Sequence, residues 1–220
     1  MLLEVDNVEL YFREKGILNG IYLKAETAKV TGILGRNGSG KSCLLQIIFG
    51  SLKPKYKLVR LDKTPYLKPL FQSGRVKYLP QHSYLPKHFK LKTAFKLFNV
   101  SWDDFIKKFE EFRGLKNHKP KSFSSGQLRL LETYLILKSN SDIVLLDEPF
   151  SHLSPIHIDL IKEIISQEKI KKVIVITDHM YRHIIDAADD IYLLKNGCIK
   201  KVDDLLELED YKYLTQGSLT

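Results

Sequence analysis

The chain has 220 residues, a formal net charge of +9, 44% hydrophobic and 28% charged residues, so it can bury a core and is neither disordered nor fibrous. No run approaches the ~18 uninterrupted apolar residues of a spanning helix, and the opening "MLLEVDNVEL" is acidic early and alternates, unlike a secretory signal. The basic residues are scattered with no long run, so composition does not argue for DNA binding and no nucleic acid is expected, and the distant Cys43 and Cys198 have no metal or redox spacing and read as reduced cytosolic thiols.

Residues 3–12, "LEVDNVELYF", alternate, and "GIYLKA" follows a turn, predicting an antiparallel opening sheet. "VTGIL" (30–34) is an apolar strand ending in a glycine-rich loop, and "KSCLLQIIFG" (41–50) has helical spacing that stops at Gly50. "VKYLP" predicts another strand. "SWDDFIKKFEEF" predicts a helix with a capping box between Ser101 and Asp104 and an apolar stripe of Phe105, Ile106, Phe109 and Phe112. "GQLRLLETYLILKS" predicts a second helix. "DIVLLD" (142–147) and "KVIVIT" (172–177) are continuous apolar runs, as for parallel strands covered on both faces, with the amphipathic "IDLIKEIISQ" between them. "DIYLLKNGCIKKV" predicts a closing hairpin turning at Asn196-Gly197. The class is α/β: one domain over 1–220, with a core of 1–81 and 139–220 and a helical insertion at about 82–138.

"GRNGSGKS", Gly35 to Ser42, fits G-x-x-x-x-G-K-[ST] between a strand and a helix. Its glycines let backbone N–H groups curl around phosphate oxygens, and the helix adds its positive end. Lys41 supplies a charge to the β and γ phosphates, and Ser42 a hydroxyl to Mg²⁺. The nucleotide set is Gly35, Asn37, Gly38, Ser39, Gly40, Lys41, Ser42 and the following Cys43. Kinases, GTPases and ATPases all fit at this point.

"IVLLDEPF" narrows the choice. Asp147 emerges at the C-terminal edge of a strand, where open α/β sheets bind ligands, and is placed to hold Mg²⁺ through water. Glu148 faces the other way, as a base polarising a water that attacks the γ-phosphate. "VITDH" places His179 at the end of the next strand, able to hydrogen-bond the γ-phosphate, and "YLPQ" offers Gln81 to Mg²⁺ or water. His179 and His183 stand i, i+4, but "HMYRH" lacks the glutamate of H-E-x-x-H, so a metal pair is not expected.

Taken in order, "GRNGSGKS", "YLPQ", "FSSGQLR", "IVLLDEPF" and "VITDH" resemble the nucleotide-binding domain of ABC-type ATPases, over essentially the whole chain. The resemblance implies a P-loop NTPase (RecA-like) core with an antiparallel β subdomain and an inserted helical subdomain. It makes Ser124, Ser125, Gly126 and Gln127 the signature motif, which contacts the γ-phosphate bound by an opposite subunit. It also implies an aromatic on adenine, with strand alignment favouring Phe12 over Tyr11. ATP and Mg²⁺ are the implied cofactors, with Ser42, Gln81 and Asp147 around the metal and Glu148, His179 and Gln81 as the catalytic set. Implied partners are a second such subunit, more readily an identical one, and transmembrane transporter subunits on the inner face of the cell membrane. A weaker resemblance runs to lipopolysaccharide-export and branched-chain amino-acid transporter ATPases.

The chain departs from that pattern twice. Ser125 stands where glycine is usual, and its Cβ restricts φ. Ser154 replaces the aspartate of the S-x-L-D loop. Two other readings stay open: a soluble ABC ATPase acting on DNA or ribosomes, and a nucleotide-gated module with weak hydrolysis in a heterodimer.

Overall fold

The computed structural model describes residues 1–217; the last three residues of the expected core, 218–220, lie outside the described residues. Strands β1 (Leu2–Phe12) and β2 (Lys15–Glu26) form the predicted antiparallel pair, and β3 (Val30–Leu34) leads into helix α1 (Lys41–Phe49). β4 (Tyr56–Leu61), β5 (Thr64–Pro65) and β6 (Val76–Leu79) follow, then α2 (Leu91–Phe98), α3 (Trp102–Lys108) and α4 (Ser125–Lys138). β7 (Ile143–Asp147), α5 (Pro155–Glu168), β8 (Val173–Thr177), α6 (Tyr181–Ala187), β9 (Asp190–Lys195), β10 (Cys198–Val202) and α7 (Glu207–Asp210) complete the order.

These strands make two sheets. The antiparallel one runs β2-β1-β4-β5, and the six-stranded one runs β10-β9-β3-β8-β7-β6. Its neighbours pair in parallel except β10, which returns on β9 through a turn where Asn196 and Gly197 have φ of 53° and 77°. Both positive angles suit a tight hairpin of right-handed twist. The central strands β3, β7 and β8 are buried at every position. Period two then divides each strand between the faces. Val144, Leu146, Ile174 and Ile176 join the core under α4, α5 and α6. Ile143, Leu145, Val173 and Val175 join the core shared with α1 and the antiparallel sheet. The sheet is the partition between two cores, and its C-terminal edge carries the loops after β3, β6, β7 and β8.

The aromatic segment departs from the expected helix. Ser101 Oγ accepts from the Asp104 N–H at 3.1 Å, but the Asp104 carboxylate turns to Lys107 Nζ at 3.1 Å and closes no box. α3 ends at Lys108, and Phe109, with φ −128° and ψ 73°, breaks into a short 3₁₀ turn over Glu110–Phe112. Positions i and i+7 of a straight helix lie about 10 Å apart along its axis. The break instead brings Phe105 and Phe112 ring centroids to 4.9 Å, with Phe109 at 5.1 Å and Tyr134 of α4 at 4.9 Å from Phe105. These four rings are all but fully buried and run into the same core as the sheet. Gathering Phe109, Phe112 and Tyr134 around the buried Phe105 ring outweighs one further turn of helix. Phe105→Ala should therefore destabilise the protein by about 3–5 kcal/mol in urea denaturation, whereas Ile106→Ala, at a half-buried position, costs clearly less.

Candidate functional site

The phosphate-type loop joins β3 to α1 at the middle of the sheet. Gly38 and Gly40 adopt φ of 78° and 104°, the left-handed region that favours glycine. At Gly35 a Cβ would meet the Leu194 carbonyl oxygen at 2.6 Å, so glycine is required there by close approach to the hairpin. The buried Lys41 ammonium donates to the carbonyls of Gly35 at 2.6 Å and Arg36 at 3.3 Å. Burial pushes its pKa down, against the pull of Glu148, Asp147 and Asp178. Ser39 Oγ is buried without a hydrogen-bond partner. A cation folded onto its own loop beside an orphaned hydroxyl is a cradle shaped for an anionic group, so the residues fit a nucleotide's phosphates.

The carboxylates stand on the next two strands. Asp147 is buried at the end of β7, accepting from Thr177 Oγ1 at 2.8 Å and Tyr78 Oη at 3.1 Å. Burial, and then the Asp147 charge, push the Tyr78 phenol up, so it remains a donor at neutral pH. One residue later the chain turns sharply: Glu148 has φ 57°, and its N–H donates to the Thr177 carbonyl at 2.7 Å. Its side chain therefore leaves the strand in another direction from Asp147. Glu148 Oε1 accepts from Gln81 Nε2 at 3.1 Å, Oε2 accepts from Ser151 Oγ at 3.1 Å, and His179 Nδ1 lies 3.4 Å from Oε2. The His179 nitrogen is also 3.3 Å from Asp178 Oδ1, a buried carboxylate that burial pushes up although the N–H groups of Met180 and Phe150 donate to it. Gln81, Glu148 and His179, expected from three separate motifs, converge.

Five further residues complete this cluster and were not expected from the sequence: Tyr78, Thr177, Ser151, Arg129 and Glu132. Arg129 is buried in α4, and its guanidinium donates to three backbone carbonyls: Pro80 at 2.7 Å, Glu148 at 2.9 and 3.1 Å, and Asp147. The available signal was "LRLLETY", where an arginine and a glutamate three apart interrupt an apolar helix.

The Ser124–Gln127 stretch at the start of α4 is a capping box. Ser124 Oγ accepts from the Gln127 N–H at 3.2 Å, and Gln127 Oε1 accepts from the Ser124 N–H at 3.0 Å. Ser125 is the first helical residue, outside the left-handed region, so the expected restriction of φ by its Cβ meets no strain. Gly126 is the constrained position: a Cβ there would lie 2.4 Å from the His152 carbonyl oxygen. Ser154 caps α5, its Oγ accepting from the His157 N–H at 3.4 Å. At the end of β1, Lys55 Nζ lies 5.3 Å from the Tyr11 ring centroid, and Phe12 is the more exposed aromatic, at 52% against 40%.

Within one chain the signature end and the phosphate loop line different clefts. Ser125 shares about 320 Å³ with Gln81, Arg129 and Glu148. Arg36 to Ser39 share about 310 Å³ with Ile17, Asn196 and Tyr213.

A central strand feeding a glycine loop and helix, with the carboxylates of Asp147 and Glu148 two strands away across β8, defines the P-loop NTPase class with a RecA-like core, here bearing an antiparallel β subdomain. The family model described as ABC transporter matches residues 18–151, more than half of the chain, and the protein belongs to that family. An ABC transporter ATP-binding protein of Methanocaldococcus jannaschii is 28% identical over 233 residues, covering 99% of this chain and 84% of that one. The energy-coupling factor transporter ATP-binding protein of Staphylococcus aureus is 27% identical, over 90% and 78%. The lipopolysaccharide export system ATP-binding protein of Haemophilus influenzae is 24% identical, over 90% and 88%. A solved ATP-binding subunit of an ABC transporter superposes with a TM-score of 0.81 at 21% identity, covering 100% of this chain and 96% of its own, which establishes the fold.

The two signature positions should differ in their sensitivity to substitution. Gly126→Ala forces a Cβ onto a backbone oxygen and should cost about 1–3 kcal/mol. Ser125→Gly changes only helix propensity and should cost about 0.5 kcal/mol. Chemical denaturation of both variants beside the wild type checks the contrast.

Proposed function

We propose that this chain is the ATP-binding and ATP-hydrolysing subunit of an ABC membrane transporter, acting as a dimer on the cytoplasmic face of the membrane. The observation that carries this reading is the convergence of Gln81, Ser151 and His179 on Glu148, beside the strand that presents Asp147. Lys41 exchanges its bonds to the Gly35 and Arg36 carbonyls for phosphate oxygens, and Ser39 Oγ gains the partner it lacks. The freer Phe12 offers its face to adenine. Ser42, Asp147 and Gln81 would hold the metal. When bound, Mg²⁺ neutralises charge on the phosphates and orders them for in-line attack. Glu148 orients the attacking water, a role that contributes roughly 10²–10⁴-fold. His179 holds Glu148 in register through the 3.4 Å contact.

The separate clefts support dimerisation. Each chain presents its phosphate loop and its signature helix to different clefts; two copies head to tail would bring the one against the other. A second identical copy is the simplest partner, because no catalytic side chain of the motifs is missing. Residues 82–138 form the helical insertion that faces transmembrane subunits beside Gln81.

Steady-state turnover of the purified chain with Mg-ATP, beside Glu148→Gln, tests this reading. The wild type should hydrolyse ATP, and the variant should lose at least about 10²-fold while eluting as an ATP-dependent dimer. A wild type that binds ATP but neither turns over nor dimerises would rule out the homodimeric engine and favour a nucleotide-gated module.

A further inference from the structure

Glu132 lies in α4 one turn beyond Arg129, on the same helix face, and is 1% exposed. A carboxylate at that depth is costly without donors. Its Oε1 accepts three hydrogen bonds from one short segment: Ser83 Oγ at 2.7 Å, Tyr84 N–H at 3.0 Å and Leu85 N–H at 3.0 Å. The Tyr84 hydroxyl reaches the Glu132 carbonyl at 3.4 Å. Arg129, meanwhile, holds the Pro80 carbonyl at 2.7 Å. Gln81 is therefore bracketed by two anchors from a single helix face, one on the residue before it and one beginning two residues after it. Between them Gln81 reaches Glu148 at 3.1 Å.

The two anchors also depend on each other electrostatically. Burial works against the Arg129 charge, and Glu132 is the largest of the carboxylate influences that sustain it. Glu132 thus acts on the site twice: directly, by fixing residues 83–85, and through Arg129, whose guanidinium fixes Pro80 and the backbone of Asp147 and Glu148. A bare tether for a loop would need neither the charge nor the shared helix face.

We propose that Glu132 is a positioning residue for hydrolysis, which with Arg129 clamps the Gln81 segment onto the signature helix and so sets the reach of Gln81 to Glu148. The inference rests on the hydrolysis reading for its kinetic consequence, while the clamp itself can be observed without turnover.

The test uses the full chain as wild type, Glu132→Ala, Glu132→Gln, Gln81→Ala and the Glu132→Ala/Gln81→Ala double variant. Amide hydrogen exchange and steady-state ATPase are measured side by side. In Glu132→Ala, exchange at Tyr84 and Leu85 should accelerate by about tenfold or more, and kcat should fall about tenfold with KM for Mg-ATP within about threefold. Glu132→Gln should lie between, because its amide oxygen still accepts while the charge facing Arg129 is gone. The double variant should be no worse than the more impaired single variant, because both act on the same contact. If Glu132→Ala does not fold, Ser83→Ala takes its place, with a smaller kcat loss at unchanged KM. Unchanged exchange at Tyr84 and Leu85 overturns the proposal. So do kcat and KM falling together with the melting temperature, or losses that multiply in the double variant. A wild type without turnover would defeat the hydrolysis reading instead, and the exchange pattern alone would then decide whether the clamp exists.

Discussion

The Arg129 guanidinium is the constraint on which the rest of the site depends. A buried cation costs several kcal/mol unless its donors and charge are matched. Here the donors meet carbonyls of Pro80, Asp147 and Glu148, and the charge is sustained by Glu132, Asp147, Asp178 and Glu148 against the cost of burial. Those carbonyls lie at or just beyond the ends of β6 and β7, where the chain leaves the sheet, and Arg129 ties the two strand ends together. It thereby fixes the turn in which Glu148 takes φ 57°, a conformation costing roughly 1–2 kcal/mol for a residue other than glycine. The Glu148 N–H bond to the Thr177 carbonyl holds the same turn from β8. Two independent anchors make the strained conformation the stable one.

The phosphate loop is set by packing from the opposite side. Gly35 lies against the Leu194 backbone, and a Cβ on Gly40 would meet Leu18 at 2.9 Å. The Asn19 N–H donates to the Gly197 carbonyl at 2.8 Å, so β2 and the β9–β10 hairpin are joined where they meet the loop. The antiparallel sheet is consequently part of the loop's frame. The loop sits between two sheets, and its curvature is imposed by backbone on both flanks.

Much of this was legible in the sequence because it is local. An apolar pentapeptide followed by G-x-x-x-x-G-K-S carries its own strand, loop and helix, and Asn196-Gly197 carries its own turn. What the sequence concealed depends on partners far along the chain. Arg129 finds Pro80 at a separation of 49 residues, and Glu132 finds Ser83 at the same separation. In the sequence both are polar interruptions in a leucine-rich helix. The break at Phe109 was hidden for a similar reason: the periodicity of Phe105, Phe109 and Phe112 fits a helix, and the need to gather Phe109, Phe112 and Tyr134 around Phe105 appears only once α4 is packed beside them. The pairing of Ser101 with Asp104 likewise gave the cap but not the box, because Lys107 competes for the carboxylate.

Ser125 shows how a departure from a family pattern can be neutral at the level where the motif acts. The first turn of a helix presents N–H groups without intrahelical acceptors. In α4 the Ser124–Gln127 box satisfies two donors, those of Ser124 and Gln127, and the next, Leu128, bonds the Ser124 carbonyl at 2.9 Å. The N–H groups of Ser125 and Gly126 have no acceptor within the helix, and they stand at its positive end. An anion meeting this helix would therefore be held by backbone donors that a serine retains in full. The side chain matters where backbone crowds it, at Gly126 against His152, and that position remains glycine. The signature sequence thus divides into a capping pair, one free donor that tolerates a side chain and one that does not, and the substitution falls on the tolerant position.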